Sequence, residues 1–393
     1  MSDQFIPLSV PNLSGRELDY VTEAVRTGWV STAGRYVSEF EENVARYVNK
    51  DRAVSCQSGT SGLHISLILS GVMPGDAVIV PTLTFIAAVN PVCYQQATPI
   101  FMDCDDTLCM DPVKLAAFCE NECDFDGKAL RYKKTGQRIP ALIVVHVFGN
   151  MANMPRILEI AARYNMKVIE DATEALGTKY LDDAPCYPGC FAGTMADFGV
   201  YSFNGNKIIT TGGGGMIVAK RPEDAEHAKH LTTQAKSDEL NFIHDEIGYN
   251  YRMTNLQAAL GIAQLEQLEG FIQTKRENYR LYCELLSDVE GVSILPFESG
   301  IRTNYWFYSL NIEDPERHRR DDMIAELSRM KIQTRPIWGL IHQQKPYVNS
   351  LSYQIEKAVY YHHRVVNLPC STNLTKDDVV RVVEAVKQIL GGR

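Results

Sequence analysis

"YSFNGNKIITTGGGGM", residues Tyr201–Met216, places Lys207 ahead of a run of four glycines, Gly212–Gly215, with four residues between. Three readings compete for this lysine: a phosphate-binding lysine of a glycine-rich loop, a Schiff-base lysine, or a surface cation beside a tight turn. A P-loop needs its glycines before the lysine, a Ser or Thr directly after it, and a helix to follow. Here Asn206 precedes Lys207, Ile208 follows it, and "MIVAK" reads as a strand. The P-loop fails on order and on context. No Gly-x-Gly-x-x-Gly follows a strand near the N-terminus, so a nicotinamide dehydrogenase has little support either.

Outward from this stretch, short apolar runs alternate with helical ones. "AVIVP" (Ala77–Pro81), "TPIFMD" (Thr98–Asp103), "ALIVVHVFG" (Ala141–Gly149), "KVIED" (Lys167–Asp171) and "FGVYSF" (Phe198–Phe203) read as buried parallel strands. "MPRILEIAARYN" reads as a helix between two of them. The alternation predicts an α/β domain with a mostly parallel sheet and ligands at the carboxyl ends of its strands. A polar insert, residues 119–138, carries Asp126-Gly127 and Thr135-Gly136 and predicts a small hairpin. From about Arg252 the pattern turns helical, with Thr254 and Gln257 spaced as a capping box. The expected organisation is a large domain over residues 1–250 and a smaller α/β domain over 251–393.

The chain has 393 residues, 45% hydrophobic and 22% charged, an ordinary balance for a globular protein with a substantial core. A net charge of −9 argues against general binding to nucleic acid or anionic membranes. The start, "MSDQFIPLSV", lacks a signal pattern, and apolar stretches are too interrupted to span a membrane. Ten cysteines without a signal segment point to reduced thiols in the cytoplasm. Cys119/Cys123 and Cys186/Cys190 lack the spacing of a zinc site, so they read as buried or idle thiols and no metal is expected.

A Schiff-base lysine for pyridoxal phosphate makes further demands. The pyridinium nitrogen needs an acid, because the ring is an electron sink only while that nitrogen is protonated; Asp171 ends "KVIED". The phosphate needs a helix N-terminus, and "CQSGTSGLH" (Cys56–His64) offers small residues and hydroxyls before an apolar helix. The ring needs a flat surface, and "PTLTF" puts Phe85 just past a strand. Taken singly, each has an ordinary alternative: a turn or cap for Asp171, core packing for Phe85, simple capping for the Ser-Gly-Thr. Their order and spacing together carry the reading.

The blocks "SCQSGTSGLH", "GDAVIVPTLTFIAAVN", "VHVFGNMANM", "IEDATEALGT", "YSFNGNKIITTGGGGM" and "GYNYRMTNLQAALGIAQLE" run in the order of the sugar aminotransferase family of fold-type I pyridoxal-phosphate enzymes. The sequence resembles that family from Gly28 to Trp338. The resemblance implies a fold-type I α/β architecture with pyridoxal 5'-phosphate as cofactor. It implies that Lys207 carries the cofactor and shuttles a proton, and that Asp171 pairs with the pyridinium nitrogen. Gly59, Thr60 and Ser202 would hold the phosphate, and Phe85 would stack on the ring. Glu174 stands where many relatives have a glutamine near the cofactor's phenolic oxygen; a carboxylate there could accept a hydrogen bond or repel a phenolate. His146 reads either as a packed structural histidine or as a group behind the cofactor.

In the family, the residue matching Asn250 reaches a partner's cofactor phosphate, which implies a homodimer with a shared active site; Asn250 also fits a helix-entry turn. The resemblance further suggests glutamate as donor and a nucleotide-linked 4-keto-6-deoxy sugar as acceptor. Candidates for the sugar nucleotide are Trp29, Ser31 and Thr32, with Arg335, Trp338, His342 and Tyr347; Arg suits phosphate and Trp suits stacking. Asn304, Tyr305 and Trp306 are weaker candidates, since an aromatic cluster is more often core. The 119–138 insert, "CMDP" and "EDATEALGT" resemble the subgroup acting on UDP-2-acetamido-2,6-dideoxy-4-keto-hexose, on the route to bacillosamine and legionaminic acid. A GDP-4-keto-6-deoxymannose aminotransferase, which makes perosamine, is the nearest competitor. A deoxygenating branch of the family carries histidine at the lysine position, and Lys207 argues against it. A non-catalytic sensor on this fold would be expected to lose Lys207 or Asp171, and both are present.

Overall fold

The computed structural model describes residues 4–391. Its centre is an eight-stranded sheet, ordered Ala53–Cys56, Gly215–Ala219, Phe198–Ser202, Lys167–Asp171, Ala141–Val145, Ala77–Pro81, Thr98–Met102, Ser352–Tyr353. The first two junctions are antiparallel and the rest parallel. All five apolar runs identified in the sequence are strands of this sheet. They are buried nearly throughout because helices cover both faces of a parallel sheet.

The helix Met154–Arg163 shows how sequence places such a cover. Asn153 caps it by accepting the Arg156 N–H at 3.2 Å, and Pro155 occupies its first turn, where no intrahelical donor is needed. Met154, Ile157, Ile160 and Ala161 form its buried face. Burying each of the larger three contributes roughly 1.5–3 kcal/mol. The predicted hairpin is present as Cys123–Phe125 against Leu130–Tyr132, with Gly127 at φ 86° in its turn.

A second, antiparallel sheet of four strands runs Val292–Ile294, Tyr308–Ile312, Val365–Leu368, Arg335–Pro336. Helices Leu268–Leu286, Arg320–Arg329 and Lys376–Gly391 accompany it. The predicted capping box is present, with Thr254 and Gln257 opening the helix Asn255–Leu265, which packs against Glu17–Arg26 and Arg35–Tyr47. The chain also crosses the line drawn at residue 250 from the sequence. Ile6 pairs with Ile332, and Ser352–Tyr353 forms the outer strand of the large sheet. No described helix is long and apolar enough to cross a membrane.

Candidate active site

The large sheet brings Asp171, Ser202 and the Ser58–Thr60 turn to one end. Register sets this: Gly215 lies opposite both Cys56 and Ser202, and Asp171 lies opposite Val200 and Val145. A cavity of about 260 Å³ opens there. Gly59, Thr60, Phe85, Asp171, Glu174, Ser202, Lys207 and Trp338 line it, together with Gly213, Gly214 and Trp306.

Its floor is the N-terminus of the helix Gly59–Leu69. The Ser58 hydroxyl accepts the Ser61 N–H at 3.1 Å and the Ser61 hydroxyl receives the Ser58 N–H at 3.1 Å, closing a capping box. That leaves the Gly59 and Thr60 N–H groups of the first turn without intrahelical acceptors, beside the Ser202 hydroxyl. A Cβ on Gly59 would stand 2.8 Å from Thr173 Cγ2, and one on Gly215 would stand 2.6 Å from the Ser58 backbone. Glycine at 215 lets that strand lie directly against the Ser58 turn. Free N–H groups, a helix dipole and a hydroxyl suit a phosphate, so the residues present fit pyridoxal phosphate.

Lys207 has its ammonium 3.6 Å from Glu174 Oε1 and 4.2 Å from the centroid of the Trp306 ring. The Trp306 indole N–H donates to the Asn206 carbonyl at 2.8 Å, which fixes that ring beside the lysine's own loop. Glu174 is buried and its other oxygen accepts the Phe148 N–H at 2.9 Å. Burial pushes its carboxyl up to about 7, against the opposing pull of the Lys207 charge. Asp171 is buried too and accepts the Thr173 N–H at 3.1 Å. Burial raises its carboxyl, while the Thr173 hydrogen bonds and the nearby Lys207 and His146 lower it.

His146 is fully buried beside Asp171, whose carbonyl accepts its backbone N–H at 3.1 Å. Its Nδ1 accepts the Ala152 N–H at 3.2 Å, so its Nε2 carries the proton and donates to Glu170 at 2.9 Å. Glu170 is fully buried and also accepts the N–H groups of Gly193, Met195 and Ala196 at 2.7–2.8 Å. It pins the loop behind the site, and its signal in the sequence was a charge inside an otherwise buried strand. Asn304 was a weak candidate for substrate; it is buried and donates to the Glu174 and Leu176 carbonyls at 2.9 and 3.0 Å. Trp306, rated equally weak in the sequence, faces the lysine.

Other residues singled out in the sequence lie outside the cavity. Tyr347 is buried, with its hydroxyl donating to Asn90 at 2.6 Å, so its polar end is occupied within the fold. His342 Nδ1 lies 2.6 Å from the Thr82 hydroxyl, and burial lowers its pKa. Arg335 is exposed on its short strand. Trp29, Ser31 and Thr32 lie in a loop whose Trp29 and Ser31 carbonyls accept from Asn255. Asn250 is exposed and accepts from Arg252 Nε at 3.1 Å. Within one chain these seven are not brought to the lysine.

A family model described as the DegT/DnrJ/EryC1/StrS aminotransferase family matches residues 11–387. The chain belongs to that family. EpsN of Bacillus subtilis is 36% identical over 97% of this chain and 95% of its own length. The GDP-perosamine synthase of Caulobacter vibrioides is 35% identical over 98% of each chain. Among solved structures, the aminotransferase TlmJ from Streptoalloteichus hindustanus superposes with a TM-score of 0.88 at 28% identity, covering 99% of this chain and 100% of that one. This sugar aminotransferase therefore has the fold-type I architecture, and its cofactor is pyridoxal 5'-phosphate.

Proposed function

We propose that the aminotransferase moves the amino group of glutamate to C4 of a nucleotide-linked 4-keto-6-deoxy sugar, with UDP-2-acetamido-2,6-dideoxy-4-keto-hexose as acceptor. The observation that carries the chemistry is Lys207, placed between an aromatic face and a buried carboxylate above an anion-binding helix end. The 119–138 insert and the "EDATEALGT" segment support the acceptor. A second reading, a GDP-linked 4-keto-6-deoxyhexose, is favoured by the 35% identity to a GDP-perosamine synthase over 98% of each chain.

Bound pyridoxal 5'-phosphate supplies an electron sink for the carbon next to the transferred nitrogen. The Gly59 and Thr60 N–H groups and the Ser202 hydroxyl would hold its phosphate, Phe85 would pack on its ring, and Asp171 would keep the pyridine nitrogen protonated. Lys207 Nζ takes the proton from the donor's α-carbon and passes it on, then runs the same transfer in reverse for the acceptor. Trp306 and Glu174 keep that amine within the cavity between transfers. Glu174, poised near pH 7, can carry its own proton and give a hydrogen bond as an amide would. Asn250 would serve the site of a second copy in a homodimer, in keeping with its place outside the cavity lining of its own chain. The enzyme would work on soluble substrates in the cytoplasm.

The test is purified enzyme with pyridoxal 5'-phosphate, its visible absorbance followed as glutamate is added. The UDP- and GDP-linked keto-sugars are then supplied separately. A spectral change with glutamate that only the UDP sugar reverses supports the first reading, and reversal by the GDP sugar alone moves the second to the front. No response to glutamate sinks both.

A further inference from the structure

Away from the cavity, two imidazoles and two carboxylates meet at the foot of the hairpin Lys236–His244. His227 and His230 sit three residues apart on the helix Pro222–Thr232, which puts them on one face. The chain turns back after this helix through Gln234 and Ala235, at φ 72° and 49°, forms the hairpin and returns with Asp245 and Glu246. The return is fixed by backbone groups: the Asp245 N–H donates to the Ala235 carbonyl at 3.2 Å, and His244 Nδ1 lies 2.8 Å from the Gln234 carbonyl. The four side chains are therefore held together by chain geometry that does not depend on their own hydrogen bonds.

Their ligand atoms converge. His230 Nε2 lies 2.7 Å from Asp245 Oδ1 and 3.8 Å from Glu246 Oε1, and the same Glu246 oxygen lies 2.8 Å from His227 Nε2. The donor atoms of His230, Asp245 and Glu246 all fall within 4.8 Å of one another. A zinc-type ion takes nitrogen and oxygen ligands at about 2.0–2.2 Å, which leaves neighbouring donors roughly 3–3.5 Å apart. His230 Nε2 and Glu246 Oε1, at 3.8 Å, already stand close to that spacing. The two carboxylates also balance a double positive charge. Imidazole favours zinc and its transition-metal neighbours over magnesium or calcium. The cysteine pairs that invite a metal reading in the sequence form no such group among the described residues.

We infer that His230, Asp245 and Glu246 form a three-ligand binding site for a zinc-class divalent cation, its fourth position open to water, that ties the foot of the hairpin to the preceding helix. The ordinary alternative is a pair of imidazole–carboxylate hydrogen bonds with no affinity for metal, and the two differ in what they bind.

The experiment is equilibrium dialysis of chelator-stripped holoenzyme against micromolar zinc chloride, with bound zinc counted by elemental analysis. The expected result is one zinc per chain, unaffected by excess magnesium chloride. His230→Gln and, separately, Glu246→Gln should each weaken that uptake at least tenfold, with melting temperatures in chelator matching the parent. Zinc uptake that is absent, that survives both substitutions because thiols hold it, or that magnesium displaces would overturn the inference.

Discussion

Trp306 presents its ring 4.2 Å from the Lys207 ammonium, and it comes from the segment that leads into the second sheet. The large sheet supplies the lysine, and the smaller one supplies the surface against which it rests. A desolvated cation–π contact is worth about 2 kcal/mol. Trp306→Leu should therefore slow the half-reaction with glutamate roughly 10–30-fold, while Trp306→Phe, which keeps a ring, should lose less. Stopped-flow absorbance on the holoenzyme measures both; equal losses would show that the indole N–H to Asn206, and not the ring face, is what matters.

Lys207→Ala removes the group we propose as the proton carrier. Transamination should fall by at least about a thousandfold, in the range general acid–base groups supply. The fold should survive, since no backbone contact needs this side chain, and circular dichroism melts check that.

Glu174→Gln tests the buried carboxyl. Its folded value of about 7 lies above the ordinary 4.5, so the folded chain keeps a proton that the unfolded chain has released. Stability of the cofactor-free enzyme should therefore fall as pH rises through that window and level off above it. The glutamine variant should lose this slope and gain up to about 3 kcal/mol near pH 8. Urea melts at a series of pH values measure it; parallel curves for the two proteins would refute the assignment.

Gly215→Ala would set a methyl 2.6 Å from the Ser58 backbone, where neither chain can yield without moving the turn. Overpacking of this kind costs roughly 1–3 kcal/mol. The affinity for pyridoxal 5'-phosphate, read by titration, should drop more than the melting temperature does. Gly71→Ala is the control, because no atom lies near its added methyl, though its φ of 71° carries a backbone cost.

Asn250→Ala and Lys207→Ala bear on sharing of the site. Each variant alone should be nearly inactive. If Asn250 serves the partner, unfolding and refolding an equal mixture should restore about a quarter of parental activity, since half of random dimers hold one intact site. No recovery, with mixed dimers confirmed by mass, would place Asn250 in its own chain's service.

The parallel strands were legible in the sequence because burial on both faces leaves an unbroken apolar run, as in Ala77–Pro81 and Ala141–Val145. Ala53–Cys56 and Ser352–Tyr353 escaped notice because they are short and carry serines, and only their neighbours make them strands. Lys207, Asp171, Glu174 and the Gly59 turn, which the fold brings to one cavity, stood out because of their order along the chain. Trp306 was undervalued because nothing local tells an aromatic that faces a lysine from one that fills a core. Lys275 left no signal at all: it is buried, donates to the Trp306 carbonyl at 3.1 Å and to the Cys370 carbonyl, and so braces the segment that holds Trp306. Tyr347 and His342 looked like ligand residues by type, and packing gave their polar atoms to Asn90 and Thr82.

The outer strand Ser352–Tyr353 has a consequence for biosynthesis. It pairs with Phe101 and Met102, which lie about 250 residues earlier in the chain, so the edge beside Thr98–Met102 stays open until translation is nearly done. An unpaired apolar edge is a place where nascent chains stick to one another. Truncations that end before residue 352 should therefore aggregate on the ribosome or soon after release, even though every residue lining the cavity has by then been made.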